Sequence, residues 1–234
     1  MALIPPHYLN AVVSIGLLKK DKNDEVQFSS IATGFLIGKE TGEKDEQEQP
    51  FYKLFLVTNR HVFYSKKNDK HLEEVVFRLN TTEGNSHHFV VKLLNDDGSP
   101  RWYQHEEEKI DLAVVPVSAT AIQEAKIEFS FFTDKDIFSA NSFAEKNIAT
   151  GDGLYVLGFP MSISGKSKNF VIVRQGIIAR VDDEILEDGY FYIDASAYPG
   201  NSGGPVIVKP EVVSISGTRS NNSAGLIGVI SSGE

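Results

Sequence analysis

A run of glycines around one serine, Gly200-Asn-Ser-Gly-Gly-Pro205, constrains this 234-residue chain more than any other feature. It is followed at once by the strand-like Val206–Val208. Glycines permit positive φ angles and keep bulk away, so a serine hydroxyl and nearby backbone N–H groups can face a cleft. An acyl-transfer enzyme needs that arrangement, a nucleophile beside donors that receive an oxyanion. Ser202 is therefore the candidate nucleophile.

The order of residues along the chain decides which kind of nucleophile this is. The same letters match G-x-S-x-G, the nucleophile elbow of α/β-hydrolases, which place their histidine after the serine. All six histidines precede Ser202: His7, His61, His71, His87, His88 and His105. A Ser–His mechanism must then follow the order His, Asp, Ser. This order disfavours an esterase or lipase of the α/β-hydrolase type.

His61 is the candidate base because it follows an apolar strand, Phe55–Thr58, at a short polar break. The end of a buried strand holds a ring rigidly while the ring still reaches a cleft. The alternative is a strand-end histidine that is hydrogen-bonded locally. The pair His87-His88 and His105 lie in polar segments and are interpreted as parts of solvated turns.

Asp111 is the candidate partner of the base. It lies inside the otherwise apolar run Lys109–Val117. An ionised carboxylate there is costly unless it accepts hydrogen bonds, and a histidine N–H is a suitable donor. The alternative is an aspartate that caps a turn before the strand.

Several segments together resemble the successive motifs of trypsin-like serine proteases, nearest to the HtrA-type bacterial branch. These segments are Thr33–Ile37, Leu56–Val62, Asp111–Val115, Val156–Pro160, Arg174–Ile178 and Pro199–Pro205. The resemblance implies an all-β fold of two six-stranded Greek-key barrels of the chymotrypsin type. It implies His61 as general base, Asp111 as its orienting acid and Ser202 as nucleophile, with the N–H groups of Gly200 and Ser202 as oxyanion hole.

The resemblance also implies a pocket for the side chain before the scissile bond. One wall would be formed by Ser196, Ala197, Tyr198 and Pro199, and the opposite strand by Ser231, Ser232 and Gly233. In the family, the serine at the position of Ser231 bonds the triad aspartate. No carboxylate stands at the floor, so we expect cleavage after small or medium uncharged residues unless Asp194 or Glu234 turns inward.

The expected organisation is a first lobe over 1–130, a linker over 131–147 and a second lobe over 148–234. The second barrel is expected to lack its last strand and terminal helix, so further domains beyond residue 234 are possible. Short β-branched and aromatic runs, such as Ile31–Ile37 and Phe170–Val173, predict strands. Ser118–Ala125 is the best helical candidate.

Composition narrows the function classes. A net charge of −9 argues against nucleic-acid binding. The absence of cysteine excludes a thiol nucleophile and favours a reducing compartment, and we expect the cytoplasm because no signal peptide or long apolar run is visible. We expect no cofactor and no metal, since His87, His88 and His105 lack a recognised zinc spacing. Protein or peptide substrates are the expected partners, without a membrane.

Two further points bear on activity. Asn201 stands where secreted family members carry the aspartate that pairs with a newly cleaved N-terminus, so that zymogen switch is not expected. A trypsin-fold binding or sensing module with little intrinsic activity is the alternative to a serine endopeptidase.

Overall fold

The computed structural model describes residues 4–65, 70–211 and 216–231, and its elements are mainly strands. The strands are β1 Val12–Lys20, β2 Val26–Lys44, β3 Pro50–Thr58, β4 Tyr64–Ser65, β5 Lys70–His71, β6 Glu74–Asn80, β7 Ser86–Lys92, β8 Tyr103–Gln104, β9 Ala113–Val117, β10 Gly153–Gly158, β11 Ile172–Arg180, β12 Tyr192–Ala195, β13 Pro205–Val208 and β14 Gly225–Val229. The α-helices are α1 Pro6–Asn10, α2 Ala119–Glu124 and α3 Asp183–Glu187, with short 3₁₀ helices at Arg60–Phe63, Ala140–Ser142 and Pro160–Ser162.

The strands form two large antiparallel sheets. In the described part of the chain the first has seven strands in the order β7-β6-β1-β2-β3-β9-β8, and the second has five in the order β12-β11-β10-β13-β14. This is the two-barrel arrangement of the chymotrypsin type, so the predicted fold class is confirmed. The first sheet has seven strands rather than six because the short β8 pairs with β9 and extends it.

Three hydrophobic clusters hold the sheets together. One fills the first lobe around Leu56, and another fills the second around Val156. The third joins the lobes, since Phe35 and Val57 of the first sheet pack with Leu157 of the second. Strand β10 is buried along its whole length, which explains why its sequence is an unbroken apolar run rather than an alternating one.

The expected linker crosses from one sheet to the other as an ordered segment. Phe132 exchanges backbone hydrogen bonds with β2, through Leu36 and Gly38, and its side chain is fully buried. Further along, the N–H of Phe138 donates to the carbonyl of Leu226 in β14. The segment therefore ties both lobes and helps to set the cleft between them.

No helix in the described ranges combines the length and apolar character needed to cross a membrane.

Candidate active site

His61 and Asp111 meet although 50 positions separate them. His61 lies in the 3₁₀ helix directly after β3, and Asp111 lies two residues before β9, which pairs with β3. The Asp111 Oδ2 lies 2.5 Å from His61 Nδ1, and Oδ1 accepts the backbone N–H of His61 at 3.0 Å. With Nδ1–H donating to the carboxylate, Nε2 is the ring atom that is left to accept a proton.

The surroundings keep the Asp111 carboxyl ionised. Partial burial raises its pKa, but the hydrogen bonds from the His61 ring and backbone and the charges of His61 and Arg60 outweigh this effect. The net pKa lies below the usual value for an aspartate. A carboxylate that stays charged can fix the ring orientation and stabilise the imidazolium once a proton arrives.

Asn59 and Arg60, which directly precede His61, support this pair. Neither was predicted from the sequence as a site residue. Asn59 Nδ2 donates to the backbone carbonyl of Asp111 at 2.8 Å, and Arg60 Nη2 donates to the carbonyl of Glu108 at 2.8 Å. They anchor the segment that carries the carboxylate. Both lie directly before His61 inside the motif Leu56–Val62, and this position was the sequence signal that could have identified them.

The loop that carries Ser202 is fastened to the first lobe by Thr33 of β2. The Thr33 N–H donates to the carbonyl of Ser202 at 2.9 Å, and its hydroxyl donates to the carbonyl of Gly200 at 2.7 Å. The Phe159 N–H in turn donates to that hydroxyl at 3.0 Å. One buried threonine thus links the first sheet, the serine loop and the end of β10.

Gly203 is needed because the loop passes very close to the end of β3. Its φ is +81°, and a Cβ there would collide with the Thr58 hydroxyl and the Thr33 carbonyl. Since Thr58 is three residues before His61, this close approach brings the serine loop beside the histidine segment.

Along the serine loop, paired and unpaired N–H groups alternate. Asn201 N–H donates to the Tyr198 carbonyl at 3.0 Å, and Gly203 N–H donates to the Ile230 carbonyl at 2.9 Å. The N–H groups of Gly200 and Ser202 have no partner among the described residues. These are the two donors that the resemblance assigns to the oxyanion hole. The N–H of the serine itself and that of the residue two positions before it, both without a partner in the described ranges, form an arrangement that can receive a developing oxyanion.

The serine and the histidine are not joined by a hydrogen bond in the described structure, in which Ser202 Oγ and His61 Nε2 make none. Catalytic hydrogen bonds are often long without a bound substrate. The exposed Ser231 follows Ile230, which exchanges backbone bonds with Gly203 and Gly204, and it makes no hydrogen bond to Asp111. The predicted pocket residues Ser232 and Gly233 lie outside the described residues.

A cavity of about 540 Å³ adjoins the His61–Asp111 pair. Its lining residues are Arg60, His61, Tyr64, His71, Gln104, Glu108 and Asp111.

The predicted wall Ser196–Pro199 is exposed and precedes the serine loop directly. The guanidinium of Arg174 in β11 lies 4.5 Å from the centre of the Tyr198 ring. Its Nε is buried without a hydrogen-bond partner in the described structure. Asp194 is exposed on β12, opposite Ile177 of β11, and Glu234 lies outside the described residues.

The turn assignment for His87 and His88 is wrong, because both lie in β7 and pair with β6. β7 is the edge strand of the first sheet and both histidines are exposed, which explains why the polar segment resembles a loop in sequence. His105 does lie in a loop, where its Nδ1 accepts the N–H of Glu107. Within the described ranges, no three histidine, aspartate or glutamate side chains cluster as metal ligands would.

Fold, residue order and site define a protein of the trypsin-like peptidase class. A family model described as a trypsin-like peptidase domain matches residues 32–213, so the chain belongs to the trypsin-like peptidase domain family. Among solved structures, it is similar to the MamO protease domain from Magnetospirillum magneticum in its apo form. That similarity has a TM-score of 0.51 at 17% identity and covers 96% of this chain and 85% of that one. It therefore supports the fold.

Proposed function

We propose that this chain is a serine endopeptidase that cleaves protein substrates through an acyl-enzyme. The observation that carries the proposal is the serine loop, in which the N–H groups of Gly200 and Ser202 have no partner among the described residues. This loop packs against Thr58, three residues before His61. Ser202 attacks the scissile carbonyl, and His61 Nε2 takes the proton and later returns it to the leaving amine. Asp111 holds the ring in the tautomer that this transfer requires.

The substrate preference follows from the charges around the pocket. The wall Ser196–Pro199 carries no carboxylate, and the charged group seen against it is the cation of Arg174. A cation on the wall repels the side chains of Lys and Arg, so we propose cleavage after small or medium uncharged residues. Cleavage of a peptide library mainly after Lys or Arg would contradict this preference.

Labelling with a fluorophosphonate tests the proposed activity directly, because the reagent phosphonylates only an activated serine. We expect one label per chain, located on Ser202 by mass spectrometry, and no label on Ser202→Ala. Ser99→Ala is the matched control, since Ser99 lies in an exposed loop away from the site, and it should label like the natural chain. Peptidase activity should fall by roughly 10⁴-fold or more in Ser202→Ala.

The alternative is a binding or sensing module of the same fold. The absence of a hydrogen bond between Ser202 Oγ and His61 Nε2 favours it, since the serine is then not activated in this state. A chain that binds peptides but neither labels nor cleaves them, with Ser202→Ala binding equally well, would support this alternative over the peptidase.

A further inference from the structure

The connection between β10 and β11, residues 159–171, is joined to the serine loop by a backbone hydrogen bond. The N–H of Met161 donates to the carbonyl of Pro199 at 2.7 Å. Met161 and Ser162 have φ angles of 52° and 60°. This is the left-handed backbone conformation, which residues other than glycine adopt at a cost in free energy. Two such residues in succession persist only where the surroundings hold them.

This single hydrogen bond sets the direction of a candidate oxyanion donor. The peptide bond between Pro199 and Gly200 is trans, so its C=O and N–H point in opposite directions. Because the carbonyl of Pro199 is held by Met161, the N–H of Gly200 must point to the other side, where it has no partner among the described residues. A displacement of Met161 would free this peptide to rotate.

Arg78 of β6, in the first lobe, donates hydrogen bonds to the same connection. Its Nη1 donates to Ser164 Oγ at 2.9 Å and to the Gly165 carbonyl at 3.1 Å, and its Nη2 donates to the Lys166 carbonyl at 3.0 Å. Its Nε donates to Ser86 Oγ at 2.9 Å, within the first lobe. Three of the four hydrogen bonds therefore reach across to the connection.

The position of Arg78 makes these bonds difficult to replace. The residue is 5% exposed, and no carboxylate within the described ranges forms an ion pair with it. A buried cation is costly unless its donors are satisfied, and burial lowers the pKa of this guanidinium. The connection supplies three of the four acceptors, two carbonyls and the Ser164 hydroxyl, so the cation and the connection stabilise each other.

A second clamp lies next to the first. Asn80 Nδ2 donates to the Asn169 carbonyl at 2.9 Å, and Asn80 Oδ1 accepts the Asn169 N–H at 2.7 Å. Asn169 Nδ2 donates to the Arg78 carbonyl at 2.6 Å. Strand β6 thus holds the connection at two places, with the Arg78 side chain as the one nearer to Met161 in sequence.

We propose that Arg78 is a positioning residue for the oxyanion hole: it holds the β10–β11 connection so that Met161 fixes the peptide that aims the Gly200 N–H. This inference rests on the proposed serine peptidase function for its kinetic consequence. The structural consequence, a protected Met161 N–H, does not depend on activity.

Replacement of Arg78 should lower kcat and leave KM nearly unchanged, because the oxyanion forms only after substrate binds. Loss of one oxyanion donor costs about 10²–10³ in kcat, and a loosened donor should cost roughly 10–100-fold. We expect this loss in Arg78→Met, a smaller loss in Arg78→Lys, and an intermediate loss in Ser164→Ala. Ser86→Ala is the matched control, since it removes the one Arg78 bond that does not reach the connection, and it should leave kcat unchanged.

Amide hydrogen exchange provides the readout that needs no activity. In Arg78→Met and Ser164→Ala, the Met161 amide should exchange about tenfold faster or more, while the Ile178 amide, which donates to the Asp152 carbonyl in the same lobe, should not change. Equal protection of Met161 in all variants, or equal kcat losses in Ser86→Ala and Ser164→Ala, would overturn the inference. If Arg78→Met does not fold, kcat and Met161 amide exchange in Arg78→Lys and Ser164→Ala test the inference.

The two proposals can fail separately. A natural chain that neither labels nor cleaves, with faster Met161 exchange in Ser164→Ala, would refute the peptidase function and retain the anchoring role of Arg78. Normal labelling and cleavage with unchanged exchange and kcat in all Arg78 and Ser164 variants would refute only the anchoring role.

Discussion

Asp111→Asn is the most informative single substitution, because it removes a charge and one acceptor while keeping the shape of the side chain. The two carboxylate oxygens accept different N–H groups of His61, the ring Nδ1–H at 2.5 Å and the backbone N–H at 3.0 Å. An amide has one oxygen and one NH₂ group, so it can accept only one of these hydrogen bonds.

The loss of one acceptor at position 111 changes the tautomer of the His61 ring. If the amide oxygen keeps the backbone N–H, its NH₂ group faces Nδ1, which must then accept a hydrogen bond. The proton moves to Nε2, and the ring loses the lone pair that would receive the Ser202 proton. Loss of this orienting acid costs about 10⁴ in kcat in triad enzymes, which corresponds to about 5.4 kcal/mol at 1.36 kcal/mol per tenfold change.

The assay compares kcat, KM and fluorophosphonate labelling of Asp111→Asn and the natural chain. Asp136→Asn is the matched control, because the Asp136 carboxylate also accepts a backbone N–H, from Thr133, and side-chain hydrogen bonds, but lies outside the site. We expect kcat to fall by about 10⁴ in the first variant and to stay within a fewfold in the control. A kcat for Asp111→Asn within about tenfold of the natural value would refute the triad assignment.

The same substitution has a pH signature. The folded-state pKa of Asp111 is lowered, so its ionised form contributes stability above the unfolded-state pKa of about 3.9, and this contribution is lost as the pH falls through the folded-state pKa. The free energy of unfolding of Asp111→Asn should therefore fall less steeply than that of the natural chain below pH about 4. Urea titrations at several pH values measure this difference, and identical slopes would contradict it.

Three stability predictions follow from buried groups and are measured by urea unfolding. Gly203→Ala should destabilise by at least 1–2 kcal/mol, the approximate cost of a left-handed alanine, because its Cβ also meets the Thr58 hydroxyl; no loss would argue against this loop geometry. Asn201→Asp should lower the free energy of unfolding by about 3 kcal/mol or more above pH 5, because it buries an unpaired charge. Asn201 is 1% exposed, and its Nδ2 has no partner in the described ranges, so an unchanged free energy of unfolding would contradict that burial. Tyr8→Phe should cost about 1 kcal/mol through the lost hydrogen bond to Asp136, whereas Tyr8→Phe in an Asp136→Ala background, which has no side-chain acceptor, should cost less; equal losses would exclude that bond.

Much of the fold followed from local chemistry. The strand-like runs Ile31–Ile37 and Phe170–Val173 lie in or overlap β2 and β11, although β11 begins at Ile172 rather than Phe170. The helical candidate Ser118–Ala125 contains α2, with Ser118 Oγ accepting the Ala121 N–H as a cap. These features depend on the residues themselves and on neighbours a few positions away, so the sequence carries them directly.

The meeting of His61 and Asp111 was also predictable, because a buried carboxylate requires a donor and a strand-end histidine can supply one. The roles of both residues in catalysis, like that of Ser202, stay predictions. No hydrogen bond joins Ser202 and His61 in the described structure, a detail of loop placement that residue types do not specify.

The anchoring of the serine loop was decided only by the tertiary structure. Arg78 binds the carbonyls of Gly165 and Lys166, Met161 binds the carbonyl of Pro199, and Thr33 binds that of Gly200. Every residue type has a backbone carbonyl, so no pattern of side chains marks which ones will be bound. Residue chemistry determined which groups this protein can use for acyl transfer, and the packing of two sheets determined which distant backbone groups hold them in place.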